Sequence, residues 1–121
     1  DHFQQDLYEH KYQMFMLGWV GDYPDPENFL DVLFQSGAEQ NHSRYSNPEV
    51  DRLLEEARRE QDPDRRLQLY QQSEEIIVLE APWVPIYHGI NYVLVKPYVE
   101  GLIVTPQGEY SIAGVRLASA D

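Results

Sequence analysis

The sequence predicts a mixed α/β fold, on three observations. First, Asp25-Pro26-Glu27, Asn47-Pro48-Glu49 and Asp62-Pro63-Asp64 each set a capping residue before a proline and an acid. The capping side chain can accept a free amide of the first turn, proline suits the first helical position, and the acid meets the positive end of the helix dipole. Second, an almost continuously apolar run, Tyr12 to Leu17, and a run rich in β-branched and aromatic residues, Val84 to Val95, flank these helix starts. Third, Pro106-Gln107-Gly108 separates two further short apolar runs, a hairpin pattern.

Taken in chain order, Tyr12 to Leu17 is almost continuously apolar, as a strand covered on both faces would be. Pro26 opens a short helix carrying Phe29, Leu30, Leu33 and Phe34, which Gly37 stops. From Pro48 to about Glu60, Val50, Leu53, Leu54 and Ala57 recur at helical spacing and form one apolar stripe. Asp51, Arg52, Glu55, Glu56, Arg58 and Arg59 fall opposite it and read as a solvated face. The next helix runs from Pro63 to about Glu80, with Leu69, Tyr70, Ile76 and Ile77 inward and Ser73 between them. Pro82 restricts Ala81 and ends it. The joint at Gln61-Asp62 is short, so these two helices form a hairpin. Strands follow at Val84 to Val95, bent at Gly89, and as a hairpin of Leu102 to Thr105 with Glu109 to Val115.

A chain of 121 residues supports a single domain over residues 1–121, with one modest core. Its formal charge of −12 reverses the main affinity term of nucleic-acid binding, so nucleic acid is not an expected partner. Without cysteine there is no disulfide, thiolate metal site or cysteine nucleophile. The apolar runs fall well short of the roughly 18 residues of a membrane span. The chain begins at Asp1 without a Met or a signal-like segment, as expected of a processed product or an excised piece.

Catalytic and metal motifs find little support. His2, His10, His42 and His88 are scattered without HxxxH or HExxH spacing, so no metal ligand and no cofactor is expected. His88 falls at a strand position and is expected to be half-buried. There is no GxSxG elbow and no glycine-rich phosphate loop, and no catalytic residue is assigned. Asn41-His42-Ser43 fits the glycosylation pattern, which is short enough to arise by chance.

The richest segment is Gly18-Trp19-Val20-Gly21-Asp22-Tyr23-Pro24-Asp25-Pro26. With Glu27 and Asp31 its aspartates form an acidic cluster, which could bind a cation or act as paired carboxylates of a glycoside hydrolase with Trp19 and Tyr23 as sugar platforms. Asp25 and Glu27 are already accounted for by the helix start, which leaves Asp22. It reads either as a turn aspartate bonded to its own backbone or as a ligand group in a strand-end crevice. Trp19 reads either as core or as a ligand wall. Gly18 and Gly21 read as backbone flexibility around the crevice, and Pro24 as a stiffener. An acidic protein-interaction module built on the helix hairpin is the remaining alternative.

GWVGDYPDPENFL (18–30), Asn41, Tyr45, NPEVDRLLEEAR (47–58), RRLQLYQQSEEII (65–77) and APWVPIYH (81–88) together resemble the family-5 extracytoplasmic solute-binding proteins, the peptide and nickel receptors of bacterial ABC importers. The resemblance runs from about Tyr12 to Leu117. It implies a periplasmic-binding-protein-like (type II) fold, with this chain a C-terminal lobe fragment made of a mixed sheet and a helical hairpin. It also implies a periplasmic or extracytoplasmic location, a peptide or other small-molecule ligand, an ABC permease as partner, and an N-terminal lobe supplied by the rest of a two-lobed receptor. In peptide-binding members the aspartate of a W-x-x-D segment pairs with the ligand's terminal ammonium. Trp19-Val20-Gly21-Asp22 matches that segment, so the resemblance implies Trp19 and Asp22 as ligand-binding residues, and Tyr23, next to Asp22 on the same loop, is expected to bind ligand with them.

Overall fold

The computed structural model describes residues 2–105 and 107–118. The chain divides into two compact units, residues 1–84 and 85–121. The buried apolar cluster that the single-domain expectation called for lies in the first.

The first unit is helical: α1 (His2–Tyr8), α2 (Glu27–Phe34), α3 (Pro48–Arg59) and α4 (Pro63–Glu80). The caps of α3 and α4 form as the sequence predicts. Asn47 accepts the amides of Glu49 and Val50, and Asp62 accepts that of Arg65. Helix α2 begins at Glu27, one residue later than expected, because Pro26 stands at the cap position; Asp25 Oδ1 still accepts the Glu27 amide at 2.9 Å. Helix α4 ends through Ala81 in the left-handed conformation (φ 49°, ψ 49°), not through the extended backbone expected before Pro82. Its amide bonds the Ile77 carbonyl and so closes the last turn.

Helices α3 and α4 pack as the expected hairpin. Val50, Leu53, Leu54 and Ala57 of α3 meet Leu69, Tyr70 and Ile77 of α4, and Leu33 and Phe34 of α2 complete the cluster. Ser73 is fully buried among them without cost to its hydroxyl, which donates to the Tyr70 carbonyl at 2.8 Å. Glu80 ties the two ends of the hairpin. Its carboxylate accepts from the Asn47 amide group and the Tyr45 hydroxyl, which holds its own pKa below the usual range. Asn41 is buried, with its amide group donating to the carbonyls of Gln35 and Tyr45 and its oxygen accepting from Ser43 and the Tyr45 amide. It organises the connection from α2 to α3, and a glycan has no place there. Helix α1 was not expected from the sequence; its Tyr8 ring meets the buried His42 edge-on, with centroids 5.0 Å apart.

The second unit holds two short antiparallel ladders: β1 (Val99–Glu100) with β4 (Arg116–Leu117), and β2 (Ile103–Val104) with β3 (Tyr110–Ser111). The second ladder is the expected hairpin, with Val104 opposite Tyr110; Pro106, expected in its turn, lies outside the described residues. Gly101 sits at φ 76°, and a Cβ there would stand 2.1 Å from the Gly114 carbonyl oxygen, so only glycine fits beside the first ladder.

The mixed sheet is reduced to these pairs. Residues 12–17 and 84–95, expected as strands, form no ladder among the described residues. Most of their side chains stand open, Met14 at 90% and Leu94 at 99% of full exposure, with Phe15 and Val93 half-buried. A strand is held by neighbours rather than by its own propensity, and neither segment has a pairing neighbour among the described residues. His88, expected to be half-buried, is exposed for the same reason.

Candidate functional site

Residues 18–26 enter α2, and the loop they form is anchored by four contacts. Arg66, on the first turns of α4, pairs with both carboxylate oxygens of Asp25 at 2.8 Å and lies 4.9 Å from the centre of the Tyr70 ring. This fork fixes the end of the loop, and it holds the Asp25 carboxyl below its ordinary pKa. Asn28, in the first turn of α2 with its side chain buried, accepts the Asp22 amide on Oδ1 at 2.9 Å. The Asn28 backbone carbonyl accepts the Trp19 indole N–H, also at 2.9 Å. Gly21 passes so close to α2 that a Cβ would come within 2.8 Å of the Phe29 ring. Gly21 therefore serves close approach rather than flexibility, whereas Gly18 has open space around it.

The three residues expected to meet a ligand are brought onto this one loop in different states. Trp19 is half-buried and packs against the helical core, with its N–H satisfied. Asp22 is exposed, and among the described residues its carboxylate makes no hydrogen bond or ion pair. It is therefore not the self-bonded turn aspartate that was one of its two readings. Tyr23 is exposed at 42%, with its backbone carbonyl accepting the Asp25 amide. An open hollow of about 440 Å³ is lined by Gln35, Glu55, Arg58 and Arg59, and none of the three residues borders it.

The rest of the acidic cluster is committed elsewhere. Asp31 is buried on α2, with Arg58 Nε of α3 3.1 Å from Oδ1. Neither of its oxygens accepts a well-aligned hydrogen bond among the described residues. Burial pushes its carboxyl up to about 6, against the opposing pull of Arg58. Burial and the nearby Asp31 also raise the Tyr70 hydroxyl. With Asp25 held by Arg66 and Asp31 enclosed beside Arg58, neither is free to serve as a second catalytic carboxylate for Asp22. No group of three acidic or histidine side chains among the described residues could hold a metal ion. The acidic face of α3 is largely paired within itself, through Glu49–Arg52–Glu56 and Glu55–Arg59.

Known proteins place the chain clearly. No protein-family model matches it. It is 36% identical over 102 residues to heme-binding protein A of Haemophilus influenzae, covering 83% of this chain and 19% of that protein. It is 32% identical over 110 residues to the dipeptide-binding protein of Escherichia coli, covering 88% of this chain and 21% of the relative. The chain thus spans about one fifth of the length of the curated relatives it matches. Among solved structures, HbpA2 from Haemophilus parasuis superposes with a TM-score of 0.86 at 34% identity, over 98% of this chain and 24% of the other. The dipeptide-binding protein from Pseudoalteromonas sp. SM9913, solved with Met-Leu, does so at 0.76 and 34% identity, over 96% and 24%. The two sequence relatives are named as binding proteins, and the two solved structures share the fold of this chain over the residues they cover. Over the residues it spans, the chain belongs to the family-5 extracytoplasmic solute-binding proteins, whose relatives here include the dipeptide- and oligopeptide-binding proteins.

Proposed function

We propose that this chain is the C-terminal part of the substrate-binding component of an ABC-type importer, and that Asp22 captures the terminal ammonium of a peptide while Trp19 and Tyr23 line its pocket. The observation that carries this reading is the state of Asp22: an exposed carboxylate without a partner among the described residues, on a loop otherwise bonded down on both sides of it. A carboxylate left open on an anchored loop is poised for a cationic group. An ammonium–carboxylate hydrogen bond contributes about 1.5 to 3 kcal/mol net, and enclosing either charge alone costs about 3 to 5 kcal/mol. A free amine thus becomes a requirement rather than a preference.

Relatives of the same family are named for dipeptides, and one is solved with Met-Leu, a ligand that carries this amine. The name of the Haemophilus influenzae relative offers heme as another ligand. A porphyrin with its propionates brings no ammonium to Asp22, and a chain of net charge −12 opposes an anion. Residues 12–17 and 84–95, apolar and open in this chain, are read as strands completed by the remainder of a two-lobed receptor outside the cytoplasm. That remainder supplies the other wall of the site, and a membrane permease receives the loaded receptor.

In the receptor that carries this chain, calorimetry should find Met-Leu bound at least tenfold more tightly than N-acetyl-Met-Leu, a difference of about 1.4 kcal/mol. Equal affinities would contradict the ammonium-pairing role.

A further inference from the structure

We infer that Asn28 is the positioning residue of this ligand site, holding Asp22 and Trp19 in one fixed relation; the inference rests on the assignment of those two residues to the ligand. Asn28 lies in the first turn of α2 and is buried, with 3% of the residue exposed. Its Oδ1 fixes the Asp22 amide and its backbone carbonyl fixes the Trp19 indole N–H, each at 2.9 Å. The charge and the wall are three residues apart on an irregular segment, yet both are referred to the same rigid helical residue.

The physical consequence is pre-organisation. A carboxylate on a free loop must lose backbone freedom when it grips an ammonium, and that loss is subtracted from affinity. With the amide of Asp22 already held, the carboxylate starts from the geometry it uses. The second anchor, Asp25 with Arg66, fixes the end of the loop but touches neither ligand residue, so it cannot substitute for Asn28.

Asn28→Leu keeps the branched shape and removes the acceptor, whereas Asn28→Asp keeps an acceptor oxygen. In the receptor that carries this chain, Asn28→Leu should weaken Met-Leu roughly fivefold, the size of one lost neutral hydrogen bond, and Asn28→Asp should recover at least half of that loss. Should the leucine variant fail to fold, Asn28→Ser removes the reach of the side chain without burying an apolar group and should show the same loss. In an Asp22→Ala background the Asn28 substitution should cost less than twofold more, since it acts through Asp22. Equal losses for the leucine and aspartate variants, or a full additional loss without Asp22, would overturn the inference while leaving the ammonium reading intact. If Asp22→Ala alone left Met-Leu binding unchanged, the ammonium reading would fall, and this inference with it.

Discussion

Leu54→Ala should destabilise the helical unit by about 3 to 5 kcal/mol. Leu54 has no exposed surface and stands on the stripe of α3 that faces α4. The hairpin of these helices forms most of the cluster in which Val50, Leu69 and Tyr70 are also closed to solvent. Cutting the side chain back to a methyl loses its transfer energy and leaves a hole, and helices clamped at one end by Glu80 with Asn47 and Tyr45 have little freedom to collapse into it. Urea unfolding should show a lower midpoint at an unchanged slope. A loss below about 1 kcal/mol would mean that the hairpin is not the core of this unit.

Asp31 provides the second large effect, with a characteristic pH dependence. Burial raises its folded pKa from 3.8 to about 6. A raised carboxyl stabilises the fold in its protonated form: that contribution is complete below pH 3.8 and is lost as pH rises through about 6. The two pKa units correspond to roughly 3 kcal/mol, absent at pH 7. The groups around it act against one another: Arg58 of α3 and Arg66 and Tyr70 of α4 favour the charged form, and Glu27 on its own helix disfavours it. Asp31→Asn should therefore raise stability at pH 7 by about 1 to 3 kcal/mol and flatten the stability profile between pH 4 and 7, because Arg58 is exposed enough for water to replace its partner. Denaturation at several pH values would contradict this if the variant were less stable at pH 7 and the slope persisted.

Much of the first unit was legible because its signals are local. A capping side chain reaches only two or three residues ahead, so Asn47 and Asp62 could be read where they stand, and the α3 stripe needs only the helical period. Two kinds of information were not legible. Strands are defined by partners, so the apolar runs at residues 12–17 and 84–95 carry strand propensity but find no ladder among the described residues. The loop anchors depend on tertiary approach: Arg66 lies 41 residues from Asp25 in sequence, so no local pattern links the two.

The candidate site divides in the same way. Trp19 and Asp22 are proposed from the resemblance of residues 19–22 to a W-x-x-D segment, with Tyr23 beside them, and the structure adds that Asp22 is open while Trp19 is tied down. Asn28 was missed because nothing in its neighbours distinguishes a buried helical asparagine from an exposed one. Asp31 was counted in the acidic cluster, but a carboxylate on the inner face of α2, one turn from Glu27, marks a buried charge rather than a cation site.

The central claim is that the Asp22 carboxylate pairs with a ligand ammonium. Its most direct test is the affinity of Met-Leu and of N-acetyl-Met-Leu for the receptor that carries this chain, with and without Asp22→Ala. The substitution should weaken Met-Leu at least tenfold and change the acetylated peptide less than twofold, a coupling of at least about 1 kcal/mol between the carboxylate and the amine. Equal losses for both peptides would contradict it.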